Sequence, residues 1–99
     1  MEGKAKEAFK KWFDNKYLDN WNYYNIPENN AIINALTIEW LDSEGIYIDI
    51  GFLIDYKHWY RKVETKTGSD YERGYDTRQE AAKAAIKKAE EIYNEKYNR

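Results

Sequence analysis

Arrangements of residues that would signal acid–base or nucleophilic catalysis are hard to find in this chain of 99 residues. His58 is its one histidine, and no serine or cysteine stands at a spacing that would make it the base for a nucleophile. Cysteine is absent, which excludes disulfides, thiolate catalysis and thiolate metal sites. Carboxylates are plentiful, but no pair stands out for general acid–base work. We therefore predict a protein that is not an enzyme and that has no metal or cofactor.

Cations and aromatic rings are interleaved in residues 57–66. This mixture can hold phosphates while bases stack on the rings. If the segment is a strand, period two places His58, Tyr60 and Lys62 on one face and the intervening residues on the other. One interpretation is a nucleic-acid-binding strip. The other is an edge strand that lysines keep from pairing with another chain. The strip would consist of Lys57, His58, Tyr60, Lys62 and Lys66.

Charge is distributed unevenly along the chain, although the net charge is only −2. Residues 21–55 carry six acids and no lysine or arginine, whereas residues 56–99 carry eleven basic groups against eight acids. An acidic middle of this kind can attract a partner of opposite charge. We predict that this acidic middle, with Glu39, Asp42 and Glu44, contacts a protein partner together with an aromatic surface of the protein.

Two amphipathic segments precede the middle of the chain. Between residues 4 and 20 the apolar positions recur at three and four, which predicts a helix with an aromatic stripe. Ile26-Pro27-Glu28 favours the start of a second helix, and Gly45 suits the left-handed residue that ends it. The second helix would bury Ile32, Ile33, Leu36, Trp40 and Leu41. A strand over residues 31–38 is the alternative, because Ile38 lies off that stripe.

Alternation of apolar residues predicts an organising strand over residues 46–55, with Ile46, Ile48, Ile50, Phe52 and Ile54 on one face. Residues 58–66 are rich in aromatic and β-branched residues and predict a second strand, paired with the first as a hairpin. The composition of Thr67-Gly68-Ser69-Asp70 predicts a turn, and a third strand would cover Tyr71–Tyr75.

Thr77 and Glu80 have the spacing of a capping box, which predicts the start of a final helix. Its inner side would carry Ala81, Ala82, Ala85, Ile86, Ala89, Ile92, Tyr93 and Tyr97. The fold class is therefore α+β: two N-terminal helices, a three-stranded antiparallel sheet and a C-terminal helix packed on it, in one domain over residues 1–99. The chain contains no apolar run long enough to span a bilayer and no secretion signal, so we expect a cytoplasmic protein. It would be a monomer or a strand-paired homodimer.

Two resemblances bear on function. The junction Gly74-Tyr75-Asp76-Thr77-Arg78-Gln79-Glu80-Ala81 resembles the strand-to-helix junction of the arm-binding DNA domains of phage integrases, whose three-stranded sheet enters the major groove. Phe9-Lys10-Lys11-Trp12-Phe13 and the helix from Thr77 to Tyr93 are similar to small uncharacterised proteins encoded by phages and mobile elements of gut bacteria. The second resemblance implies an accessory protein that acts by binding. We expect a non-enzymatic protein that binds a protein partner, with nucleic-acid binding as the alternative.

Overall fold

The helices and strands follow one another in the predicted ααβββα order. The structure is a computed structural model, and it describes residues 3–16 and 31–97. The elements are α1 (Gly3–Lys16), α2 (Ala31–Ser43), β1 (Tyr47–Leu53), β2 (His58–Thr65), β3 (Gly68–Tyr75) and α3 (Arg78–Tyr97). Residues 31–38 are therefore helical, and the alternative strand there is wrong. The predicted start of the second helix at Ile26-Pro27-Glu28 lies outside the described residues.

The strands form one antiparallel sheet in the order β1-β2-β3. Ile50 lies opposite Arg61 in the first pair, and Lys62 lies opposite Tyr71 in the second. Both links are short, so each strand pairs with its sequence neighbour. The predicted hairpin is confirmed. The interpretation of the second strand as an edge strand is wrong, because β2 is central and has a neighbour on both sides.

The two turns lie at different positions from those predicted. β1 ends at Leu53 because the carbonyl oxygen of Leu53 accepts hydrogen bonds from the amides of Tyr56 and Lys57, at 3.2 and 2.8 Å. Ile54 consequently sits in the turn and is 78% exposed, so the predicted apolar face stops short of it. The second turn is formed by residues 66–67, and β3 begins at Gly68 where a turn was expected.

The core lies between one face of the sheet and the helices. Phe9 of α1 packs against Trp40 of α2, with ring centroids 5.8 Å apart, and Trp40 packs against Tyr93 of α3 at 5.0 Å. Ile46 is 4% exposed and Val63 of β2 is 1% exposed on the same side of the sheet. Aromatic pairs at these separations add to the burial of apolar area, so the aromatic stripe of the first helix is part of the core, as predicted. Ile32 was predicted to be buried by the second helix, but it is 49% exposed.

Specific hydrogen bonds fix the ends of the helices. At the end of α2 the amide of Gly45, with φ of 79°, bonds to the carbonyl of Asp42, and the amide of Ile46 bonds to that of Leu41. This is a Schellman motif, and it confirms the predicted role of Gly45. At the start of α3, Thr77 Oγ1 accepts from the amide of Glu80 at 3.1 Å. The carboxylate of Glu80 accepts from the amide of Asp76, one residue before the expected donor.

Candidate functional site

Within residues 3–16 and 31–97, the helices pack on one face of the sheet and leave the other, which we call the open face, uncovered. The register of the strands assigns the residues of the open face. They are Tyr47, Asp49, Gly51 and Leu53 of β1, His58, Tyr60, Lys62 and Glu64 of β2, and Ser69, Tyr71 and Arg73 of β3. Tyr47 is 52% exposed and Tyr71 is 54% exposed. The open face is therefore a surface on which large aromatic side chains remain accessible to solvent.

Tyr60 lies at the centre of the open face and is held by both neighbouring strands. Its ring lies over Gly51, where an added Cβ would be 2.4 Å from the ring carbon Cε2. Its hydroxyl donates to Asp49 Oδ2 at 3.0 Å, and its ring contacts that of Tyr71, with centroids 5.6 Å apart. The hydrogen bond to Asp49 raises the pKa of Tyr60, since it favours the protonated phenol. Only glycine at position 51 allows this arrangement.

A second aromatic group lies beside the turn between β1 and β2. The ring of Tyr56 stacks on that of His58, with centroids 5.7 Å apart and planes 20° apart. The guanidinium carbon of Arg73 lies 4.3 Å from the centroid of the Tyr56 ring, which is a cation–π contact. The Nε2 atom of His58 is buried and has no hydrogen-bond partner among the described residues. Tyr56 itself is 60% exposed, so the group extends the aromatic part of the open face.

The charges of the open face balance one another. Lys62 lies 3.5 Å from Glu64 and opposite Asp49 in the strand register. The strands contribute one further cation, Arg73. Among the strand residues, two cations and two acids therefore share the face, and these polar groups lie between tyrosines.

The residues predicted to bind nucleic acid are only partly brought together. His58, Tyr60 and Lys62 share the open face, as period two predicted. Lys57 lies in the turn before β2 and Lys66 in the turn after it. Strand residues advance about 3.3 Å each, so those two lysines are roughly 30 Å apart. The lysines do not form one continuous basic strip.

The residues predicted to contact a protein partner lie near the end of α2, on a different surface. Glu39 and Asp42 are exposed and one helical turn apart. Partial shielding of its carboxyl from water raises the pKa of Asp42, and the negative charge of Glu39 raises it further. Glu44 lines a cavity of about 600 Å³ together with Ile46, Lys66 and Lys96. That cavity mixes both signs of charge.

A buried cation lies on the helix-packed face of the sheet. Arg61 is 6% exposed, and its Nη1 atom lies 2.5 Å from Asp70 Oδ1 of β3. The Nη2 atom lies 3.7 Å from Glu72, which in turn accepts a hydrogen bond from the Tyr75 hydroxyl at 2.7 Å. The hydrogen bond from Arg61 holds the pKa of Asp70 below its ordinary value, and Lys88 acts in the same direction. Burial would lower the pKa of Arg61, but the bonds to Asp70 and Tyr75 outweigh it and raise that pKa.

The exposed tyrosines on the strands of the open face, Tyr47 and Tyr71, were not among the predicted site residues. Tyr71 and Arg73 alternate with acids in β3, a period-two signal that was available once the strand was taken to begin at Gly68. Tyr47 was assigned to the mixed side of the first strand, but its neighbours across the sheet were not identified. No group of three or more histidines, aspartates and glutamates within residues 3–16 and 31–97 could hold a metal ion. In the same residues no helix is long and apolar enough to cross a membrane.

The architecture defines a class: a small α+β domain whose three-stranded sheet is packed by helices on one face and presents tyrosines on the other. Comparison of the chain with models of protein families, with curated proteins and with solved structures finds no match.

Proposed function

We propose that the protein is a non-enzymatic accessory protein of phage or mobile-element type that binds a protein partner through the open face. The observation that carries the proposal is the exposure of Tyr47, Tyr56 and Tyr71 on one side of the sheet. Tyrosine supplies a large contact area at a low cost in conformational entropy, and it is enriched at protein interfaces. An accessory role is supported by the helix patterns that resemble small proteins of phages and mobile elements.

The organisation of the face favours a preformed binding surface. Tyr60 is fixed by Gly51 and Asp49, and its ring supports that of Tyr71. Aromatic anchors that are already held in place lose little freedom when a partner binds. We infer that Tyr60 is the support of the surface and that the exposed tyrosines around it are the anchors.

Charge distinguishes a protein partner from a nucleic acid. Tight binding of a phosphate backbone depends on several lysines or arginines that release counterions. On the strands of the open face Lys62 and Arg73 are balanced by Asp49 and Glu64, which lie on the same side of the sheet. A face on which the charges of the strands cancel and tyrosines are exposed suits the mixed surface of a protein better.

The test is capture of a partner from a bacterial lysate by the immobilised protein, followed by mass spectrometry. Wild type should capture a defined protein, and the double variant Tyr47→Ser/Tyr71→Ser should lose it. Tyr97→Ser is the matched control, because Tyr97 is an exposed tyrosine on α3, away from the open face. Equal capture by all three proteins would remove the open face as the binding surface.

The acidic residues at the end of α2 offer a second surface for the same function. Reversing the charge of Glu39, Asp42 and Glu44 to lysine should leave capture unchanged if the open face is the contact. If the reversal abolishes capture and the tyrosine variant does not, the partner binds at the end of α2.

Nucleic-acid binding is the second candidate function, and the cation–π pair of Arg73 with Tyr56 favours it. A guanidinium beside exposed rings can contact a phosphate while a base stacks on tyrosine. A gel shift with duplex and single-stranded DNA and RNA tests it. Binding that weakens steeply with salt and is lost in Lys62→Ala/Arg73→Ala would support this function, and no shift at micromolar protein in low salt would exclude it.

A further inference from the structure

The two edges of the sheet differ in their protection against pairing with another chain. β3 carries Asp70, Glu72 and Arg73, and its register with β2 shifts between Trp59 and Tyr60. Charges and irregularities of this kind keep an edge strand from pairing. β1 has the sequence Tyr-Ile-Asp-Ile-Gly-Phe-Leu, with a single charge, no lysine, arginine or proline, and an unbroken register with β2. Within the described residues β2 is the strand paired with it.

We propose that β1 pairs antiparallel with β1 of a second copy of this chain, with the two-fold axis at Ile50. The result is a continuous six-stranded sheet with two open faces on the same side. This inference is independent of the proposed function, since it concerns the edge of the sheet.

The register at Ile50 follows from the side chains of β1. Residues directly opposite each other in an antiparallel pair have side chains on the same face of the sheet. The two-fold axis must therefore lie midway between one residue of β1 and the same residue of the second copy, and that residue defines the register. An axis at Asp49 places two carboxylates directly opposite each other, which is unfavourable. An axis at Gly51 leaves Tyr47 opposite Asp55, which lies in the turn after β1. The axis at Ile50 pairs every residue from Tyr47 to Leu53 and places Asp49 opposite Gly51.

The same register covers apolar surface that a single copy leaves in solvent. Ile48, Ile50 and Phe52 form a row on the helix-packed side of β1, and Phe52 at the end of that row is 45% exposed. With the axis at Ile50, Phe52 lies opposite Ile48 of the second copy. The two rows then join across the interface, and each Phe52 gains a β-branched cross-strand neighbour.

Cysteine cross-linking tests the register. The chain has no cysteine, so a single substitution introduces a unique thiol. In Ile50→Cys the two thiols lie on directly opposed residues, whose Cα atoms are about 4.5–5.5 Å apart and within reach of a disulfide. In Ile48→Cys the two Cα atoms are offset by four residues, about 14 Å, which is too far. Mild oxidation should therefore cross-link Ile50→Cys readily and Ile48→Cys slowly, and a mixture of Ile48→Cys with Phe52→Cys should give the mixed dimer.

Light scattering on the uncross-linked wild type provides the second measurement. A dimer is expected as the concentration rises from micromolar to millimolar, and Phe52→Lys should return it to a monomer because it places a charge in the apolar row. Ser69→Lys on the exposed surface of β3 is the matched control and should leave the dimer intact. A wild type that is monomeric throughout overturns the proposal. So does a dimer that resists Phe52→Lys, or cross-linking that is no faster for Ile50→Cys than for Ile48→Cys.

Discussion

Replacing Arg61 by methionine should cost little stability, whereas removing its partner should cost more. The guanidinium is buried, and its Nε atom has no hydrogen-bond partner among the described residues. An unsatisfied buried donor costs about 1–3 kcal/mol, and methionine of similar volume removes it. Asp70 and Glu72 have side chains 41% and 61% exposed, so water can solvate them once the cation is gone. For Arg61→Met we expect a change within about 1 kcal/mol of zero.

Asp70→Ala leaves the cation in place and removes its nearest carboxylate. Breaking a fully buried pair costs about 3–5 kcal/mol, but the exposure of Asp70 reduces this. The Asp70 carbonyl oxygen, 3.3 Å from Nη1, and Glu72 also remain. We expect a loss of about 1–3 kcal/mol, and each kcal/mol lowers the melting temperature of a domain this size by roughly 4–8 °C.

Urea unfolding followed by circular dichroism measures both variants. Glu64→Ala is the control, because Lys62 and Glu64 form a solvent-exposed pair worth less than about 1 kcal/mol. If Arg61→Met destabilises the protein as much as Asp70→Ala does, the ion pair is a net source of stability and the reasoning is refuted.

Three further predictions concern single residues. Gly51→Ala should displace the Tyr60 ring and break its bond to Asp49, so that the Tyr60 phenol titrates at lower pH than in wild type when its ring signals are followed by nuclear magnetic resonance; an unchanged Tyr60 titration would contradict the close approach. Because the pKa of Asp70 is held below its unfolded value of 3.8, its stabilising effect is present above that pH and is lost as the pH falls through the lowered pKa. The free energy of unfolding of Asp70→Asn should therefore depend less steeply on pH in this acid range than that of wild type, and parallel curves would refute the assignment. Asn94→Ala should cost about 1 kcal/mol in urea unfolding, since Asn94 Oδ1 accepts from the amide of Ala5 at 2.8 Å in the first turn of α1; an unchanged midpoint would exclude that cap.

The elements of the fold were predictable because each has a local pattern. The helical spacing of Phe9 and Phe13, the alternation from Ile46 to Ile50 and the Thr77 cap all depend on residues a few positions apart. Pairing of β1 with β2 followed from their short link. The bond between Asn94 and Ala5 joins residues 89 positions apart, and no local pattern indicates it.

The candidate site was harder to predict because it depends on register between strands. Period two placed Tyr60 and Lys62 on one face, but it did not show that Gly51 and Tyr71 would lie beside them. The charge pattern of the second strand was compatible with a protected edge, and only the observed strand order shows that β2 is central. Glu39, Asp42 and Glu44 were predicted to bind a partner because acids outnumber basic residues in that segment of the chain. A count of charges along the sequence does not show which surface of the fold carries exposed aromatic side chains.

The most direct test of the central claim is the affinity of the captured partner for wild type, for Tyr47→Ser/Tyr71→Ser and for Tyr97→Ser, measured by calorimetry. Truncating a tyrosine anchor costs more than about 1 kcal/mol, so the double variant should bind at least about 10-fold more weakly, while Tyr97→Ser should match wild type. Equal affinities of the double variant and wild type would contradict binding through the open face.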